Sequence, residues 1–194
     1  SLRLKNYKQI LSDLISFDTT SKNSNISAIK YIENLFKNNS YHQSIKVFNK
    51  VKDKCSIYIK PKNINVKNGI LFSGHIDTVP TNEQKWTNNP YKAHIFKNKI
   101  FGRGSTDMKG FLSVVIYNML KNPSYPFCLT VTYDEETGCD GIKTLLSYLN
   151  KKKIVLPNKC IVGEPTNLKI VTANKGVEII ETSILSLSLI HIYA

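Results

Sequence analysis

Arginine is nearly missing from this chain: among 27 Lys and Arg residues only Arg3 and Arg103 are arginine, although the net charge is +13. Lysines that neutralise phosphates release counterions and favour non-specific contact with nucleic acid, but bidentate phosphate and base contacts favour arginine. The densest basic run, Lys151 to Lys153, follows an apolar-periodic segment and fits a solvated helix end. A nucleic-acid partner is therefore not expected. Long apolar runs are also lacking, since none reaches the roughly 18 residues of a membrane span. The start, SLRLKNYKQILSDLIS, breaks its apolar residues with Lys and Asp and so has no signal-peptide core. The expectations are no membrane partner and a cytoplasmic location. Cys55, Cys128, Cys139 and Cys160 form no C-x-x-C pair, which argues against a zinc knuckle and for reduced, mostly buried thiols. Internal repeats and low-complexity tracts are absent as well.

What is present is the composition of a globular protein, 41% hydrophobic over 194 residues, enough for one good-sized domain or for a piece of something larger. Leu4, Tyr7, Ile10, Leu11, Leu14 and Ile15 recur at helical spacing over residues 4–17, and FDTTSKNSN then breaks the pattern with turn formers. A second helix is predicted from about Ser27 to Lys37. SIKVFNKV and CSIYIK alternate as strands, and ILFSGHID is a short apolar strand running into polar residues. AHIFKNKIFGRG reads as a hairpin turned at Lys97 to Lys99. Phe111, Leu112, Val114, Val115, Ile116 and Leu120 cover most of a helix from Gly110 to Leu120, which predicts deep burial. FCLTVTYDEE is a strand ending in acids, DGIKTLLSYL a helix, and KCIVGEP a further strand ending in an acid. Apolar strands alternating with helices predict an α/β domain with a mostly parallel sheet flanked by helices.

Three of these strands end in metal-competent residues: His75 and Asp77 after ILFSG, Glu135 and Glu136 after CLTVTYD, and Glu164 after CIVG. In a parallel α/β sheet the carboxyl ends of the strands line one edge, where ligands bind. Asp107 adds a fourth contribution from the loop GRGSTDMKG, whose Gly102, Gly104 and Gly110 permit tight turns but do not match a dinucleotide or P-loop fingerprint. Five of only 14 acids would then share one crevice on a strongly basic protein. Unpaired, they would raise one another's pKa values and partly protonate. A divalent cation removes that cost, and one imidazole with several carboxylates suits zinc, with cobalt or manganese as substitutes. Taken singly, HID is more often a loop histidine beside an acid, and DEE a solvated charge run. The joint placement at strand ends is what favours a site.

SGHIDTVP, Trp86 followed by NPY, GRGSTDMKG, DEETGCDG and IVGEPT resemble, in order and spacing, the acetylornithine deacetylase and succinyl-diaminopimelate desuccinylase family of co-catalytic zinc hydrolases. The resemblance runs from about Tyr7 to Gly176 and implies a zinc-peptidase-like catalytic domain holding two zinc ions, with cobalt able to replace them. It implies His75 and Glu164 as ligands of one ion, Asp107 as the bridge between both, and Glu136 as a ligand of the second. It further implies Glu135 as the general base and Asp77 as the acid that holds the His75 ring. Residues two apart on an extended strand face one side, which is consistent with the Asp77 role. The implied chemistry is hydrolysis of an N-acylated amino acid, a small-molecule substrate, by an enzyme that is a homodimer when full length. The family also admits catalytically silent binding homologues, since fold does not fix function.

The family pattern continues past residue 176 into a lid and dimerisation domain before the catalytic domain resumes and supplies a further histidine to the second zinc. The expected organisation is residues 1–176 as the amino-terminal part of the catalytic domain, 177–186 as the opening strand of the lid, and 187–194 as a non-native tail. LSLIHI, at 187–192, matches what one frame of a transposase mosaic-end adapter encodes, and a frameshift would give a similar product. His191 is accordingly left out of the site. The chain as written is expected to bind at most one zinc well and to hydrolyse little.

Overall fold

The structure is a computed structural model, and it describes residues 5–37, 40–82 and 84–173. The expected lid strand and tail lie outside the described residues. Helix α1 (Tyr7–Ser16) opens on a capping box: the Asn6 side chain accepts from the Gln9 N–H and the Gln9 side chain accepts from the Asn6 N–H. Ile10, Leu11, Leu14 and Ile15 form its buried stripe, as the spacing predicts. Helix α2 (Ile26–Lys37) buries Ala28, Ile29, Ile32 and Phe36. Strands β1 (His42–Phe48), β2 (Cys55–Pro61) and β3 (Ile70–His75) follow, then the hairpin β4 (His94–Phe96) and β5 (Lys99–Phe101). Its turn residues Lys97 and Asn98 both take positive φ, 46° and 61°, as tight hairpin turns require.

Helix α3 (Lys109–Lys121), β6 (Phe127–Thr132), a single helical turn α4 (Glu135–Gly138), α5 (Asp140–Lys151) and β7 (Lys159–Val162) complete the described chain. Leu112, Val115, Ile116, Met119 and Leu120 of α3 are buried, but Val114 is 44% exposed, so this helix keeps one open face. The acids of TYDEE do not prolong β6. The strand stops at Thr132, Asp134 turns the chain with φ 55°, and Glu135 opens α4.

The main sheet has the order β1-β2-β6-β3-β7. The α/β class and the flanking helices hold, while the sheet is mixed rather than mostly parallel. β1 pairs antiparallel with β2, and β2 with β6; β3 pairs parallel with β6 and with β7. Connection length explains part of the split. The short link between β1 and β2 can only make a hairpin, whereas α3 and α5 provide the long crossovers that parallel pairing needs. Period-two alternation divides β2 and β6 between two cores. Ile57, Ile59, Leu129 and Val131 face α1, α2 and α3, whereas Tyr58 and Cys128 face Leu145 and Leu149 of α5.

The thiols are less uniformly buried than expected. Cys55 and Cys128 are buried, but Cys139 is only partly so and Cys160 is exposed, with all four thiols free. Every residue of β7 is exposed, because it is a short edge strand. Among the described residues no helix is long and apolar enough to cross a membrane.

Candidate metal centre

The parallel pairing of β3 with β6 and β7 brings the carboxyl ends of these three strands to one edge. His75 is the last residue of β3 and is almost fully buried. Its Nδ1 lies 2.9 Å from the Asp77 main-chain oxygen and 3.5 Å from the Asp77 carboxylate. An N–H at Nδ1 donated to that oxygen turns the Nε2 lone pair toward the crevice, as a hydrogen bond behind the ring does for a metal-binding imidazole. Around Nε2 stand Asp107 Oδ1 at 3.1 Å, Glu164 Oε1 at 3.8 Å and Glu135 Oε2 at 3.9 Å. His75, Asp107 and Glu164 each present one donor atom within 4.8 Å of the other two. One imidazole nitrogen and two carboxylates fit a divalent cation such as zinc.

Asp107 enters from the loop between β5 and α3, with a cis peptide bond to Met108. The loop packs tightly: a Cβ on Gly104 would stand 2.9 Å from Thr78 Cγ2 and 3.0 Å from Lys109 Cδ. Lys109, fully buried, donates from Nζ to the Phe17 carbonyl at 2.9 Å, and burial lowers its pKa to about 8. Glu136 lines a crevice with Asp107, Thr78 and Arg103, beside the three-residue cluster rather than within it.

The charges behave as a crowded acid cluster should. Burial raises the pKa of Glu136 and Glu164, and the charges of Asp107, Glu135 and Asp77 add to it while His75 opposes. Burial by itself would lower the His75 pKa, but hydrogen bonds and charge from Asp77 outweigh it and hold the ring at about 9. A second proton and a cation therefore compete for Nε2.

The Asp77 carboxylate does more than face the ring. It accepts from Ser21 Oγ at 2.8 Å and from the N–H groups of Glu135 and Glu136, both at 3.2 Å, so it holds the start of α4. Its pKa is lowered, because these bonds and His75 outweigh burial. The turn-forming segment after α1 thus belongs to the site. Thr19 Oγ1 donates to the Ile76 carbonyl at 2.6 Å, and Thr20 bridges to Thr78. Sequence reasoning missed this role for Thr19 to Ser21. The available signal was a run of small hydroxyl side chains directly after an amphipathic helix, residues able to hydrogen-bond a neighbouring backbone when buried.

Fold and geometry together define an α/β protein in which a histidine and two carboxylates, able to hold a metal ion, meet at the carboxyl edge of the sheet. The profile of Peptidase family M20/M25/M40 matches residues 71–184, and the chain belongs to that family. It is 38% identical over 112 residues to the acetylornithine deacetylase of Buchnera aphidicola subsp. Acyrthosiphon pisum (strain Tuc7). It is 36% identical over 115 residues to that of Salmonella typhimurium. Each alignment takes in 56% of this chain and only 28% of the relative. The fold is similar to an M20 family metallo-carboxypeptidase, Sso-CP2 from Sulfolobus solfataricus, with TM-score 0.64 and 19% identity over 82% of this chain and 37% of that one. It is also similar to human carnosine dipeptidase 1, with TM-score 0.61 and 15% identity over 80% and 37% of the two chains.

Proposed function

We propose that the chain carries part of the active site of a zinc-dependent amide hydrolase that removes the acetyl group from N-acetylornithine, giving ornithine and acetate. The observation that carries this reading is the convergence of His75, Asp107 and Glu164, with Glu135 Oε2 3.9 Å from His75 Nε2. The named relatives, at 38% and 36% identity, favour the acetyl group and ornithine.

In this reading His75, Glu164 and Asp107 would hold one zinc, and Asp107 and Glu136 would contribute to the site of a second. Bound zinc would make a water acidic and polarise the amide carbonyl. Glu135 takes a proton from the attacking water and returns it to the leaving amine, a general base that then acts as general acid. Asp77 fixes the ring of His75 and the start of α4. In this reading the described residues belong to the amino-terminal part of the catalytic domain, and the complete protein is a homodimer.

The test is an assay of the zinc-loaded complete protein on N-acetylornithine and on N-succinyl-diaminopimelate. Faster turnover of N-acetylornithine supports the reading, a preference for the succinyl substrate replaces the acyl assignment, and hydrolysis of neither contradicts it. Glu135→Ala should abolish turnover with zinc still bound, and preserved activity would remove Glu135 as the base.

A further inference from the structure

Lys54, in the link between β1 and β2, has no part in the chemistry described so far, yet it reaches the back of α4. Its Nζ stands 2.6 Å and 2.8 Å from the two oxygens of Asp134, and the two side chains are only 15% and 17% exposed. The same ammonium donates to the Ser21 main-chain oxygen. Ser21 in turn donates from Oγ to Asp77, whose carboxylate accepts the N–H groups of Glu135 and Glu136. The contacts close a ring through Lys54, Asp134, the first two residues of α4, Asp77 and Ser21. Four segments far apart in sequence meet in it.

Asp134 is the residue at which the chain turns. It adopts φ 55° and ψ 34°, makes no side-chain cap to α4, and spends its carboxylate on Lys54. Asp is among the few non-glycine residues that accept this left-handed region. The orientation of a one-turn helix is set by its attachments, because so short a helix has almost no stability of its own. α4 has two attachments at its start: Asp77 in front, through the N–H groups, and Lys54 behind, through Asp134. The directions in which Glu135 and Glu136 leave the backbone depend on both.

We propose that Lys54 and Asp134 are positioning residues for Glu135, an ion pair that aims the general base without touching substrate or metal. This rests on Glu135 being the base. Position 54 then needs a cationic head group, because the contacts with Asp134 and with Ser21 come from one group.

The test compares Lys54→Met, Lys54→Arg and Asp134→Asn in the zinc-loaded complete protein. It reads hydrogen exchange of the Glu135 and Glu136 amides, zinc content, and kcat and KM on N-acetylornithine. Lys54→Met and Asp134→Asn are expected to speed exchange at these two amides by about tenfold or more and to lower kcat by about tenfold or more. KM and zinc content should stay within about twofold of the unsubstituted protein, and Lys54→Arg should recover most of kcat. Unchanged amide exchange and kcat in folded Lys54→Met would overturn the proposal. So would a loss of kcat that only follows the fraction unfolded, or an arginine variant no better than methionine. The exchange arm needs no catalysis: if the unsubstituted protein hydrolyses neither substrate, the functional reading fails while exchange still decides whether Lys54 holds α4.

Discussion

Asp77 holds His75 through its backbone more closely than through its side chain: Nδ1 is 2.9 Å from the main-chain oxygen and 3.5 Å from the carboxylate. A substitution at position 77 therefore keeps the shorter contact. What it removes is the acceptor for Ser21, Glu135 and Glu136. Asp77→Ala should weaken zinc binding by about tenfold, the lower end of the usual effect of supporting residues. It should also cost about 1–3 kcal/mol of stability from buried donors left without a partner. Zinc competition and thermal melts measure the two effects; unchanged values of both would remove Asp77 from the account.

Glu33 links α2 to β1. Its carboxylate receives Lys46 at 2.8 Å and Lys37 at 3.3 Å, and Ser44 Oγ at 3.2 Å. Burial would raise its pKa, but the two lysines outweigh burial and lower it below the ordinary 4.5. A carboxylate depressed on folding contributes stability fully above its unfolded pKa and loses it as pH falls through the folded one. Glu33→Gln should therefore lower stability at pH 7 by about 1 kcal/mol, a modest value because Lys37 and Lys46 are solvent-accessible. The gap between the two proteins should close as the pH falls below about 4.5, followed by denaturant unfolding across that range.

Gly141, in the first turn of α5, lies against the strand end that leads to the acids. A Cβ there would stand 2.3 Å from the Tyr133 oxygen and 2.6 Å from the Tyr133 nitrogen. Neither backbone atom can move without shifting Asp134 and α4. Gly141→Ala should cost about 1–3 kcal/mol through overpacking. It should also weaken turnover more than zinc binding, because His75, Asp107 and Glu164 are on other segments.

β7 presents Ile161 and Val162, 47% and 60% exposed, at the edge of the main sheet. Exposed apolar edge strands promote association between chains. The chain as given should associate as its concentration rises, and Val162→Lys should reduce that association, as followed by sedimentation velocity. A concentration-independent monomer would contradict this reading of the edge.

Much of this architecture could be read from residue order. The stripe of Ile10, Leu14 and Ile15, the alternation in β2 and the apolar segment before His75 each carry a local period, and local period is what sequence shows. Strand direction was harder, because the antiparallel contact of β2 with β6 joins segments whose relation depends on the whole topology. At the site, His75, Glu135, Glu136 and Glu164 stand out as acids and imidazole at the ends of apolar runs, and Asp107 in a glycine-bearing loop. Lys54, Ser21 and Thr19 do not. A lysine in a lysine-rich chain and hydroxyls in a turn have no distinctive pattern, and their importance comes from contacts spanning dozens of residues.

The most direct measurement is X-ray absorption at the zinc edge on the chain titrated with one equivalent of zinc, compared with His75→Ala and Asp107→Ala. One zinc is expected, held by a single imidazole nitrogen and carboxylate oxygens at about 2.0–2.2 Å as such ligands usually sit, with affinity falling sharply in both variants. Zinc ligated by sulfur or by several imidazoles, or affinity indifferent to both substitutions, would contradict this metal site.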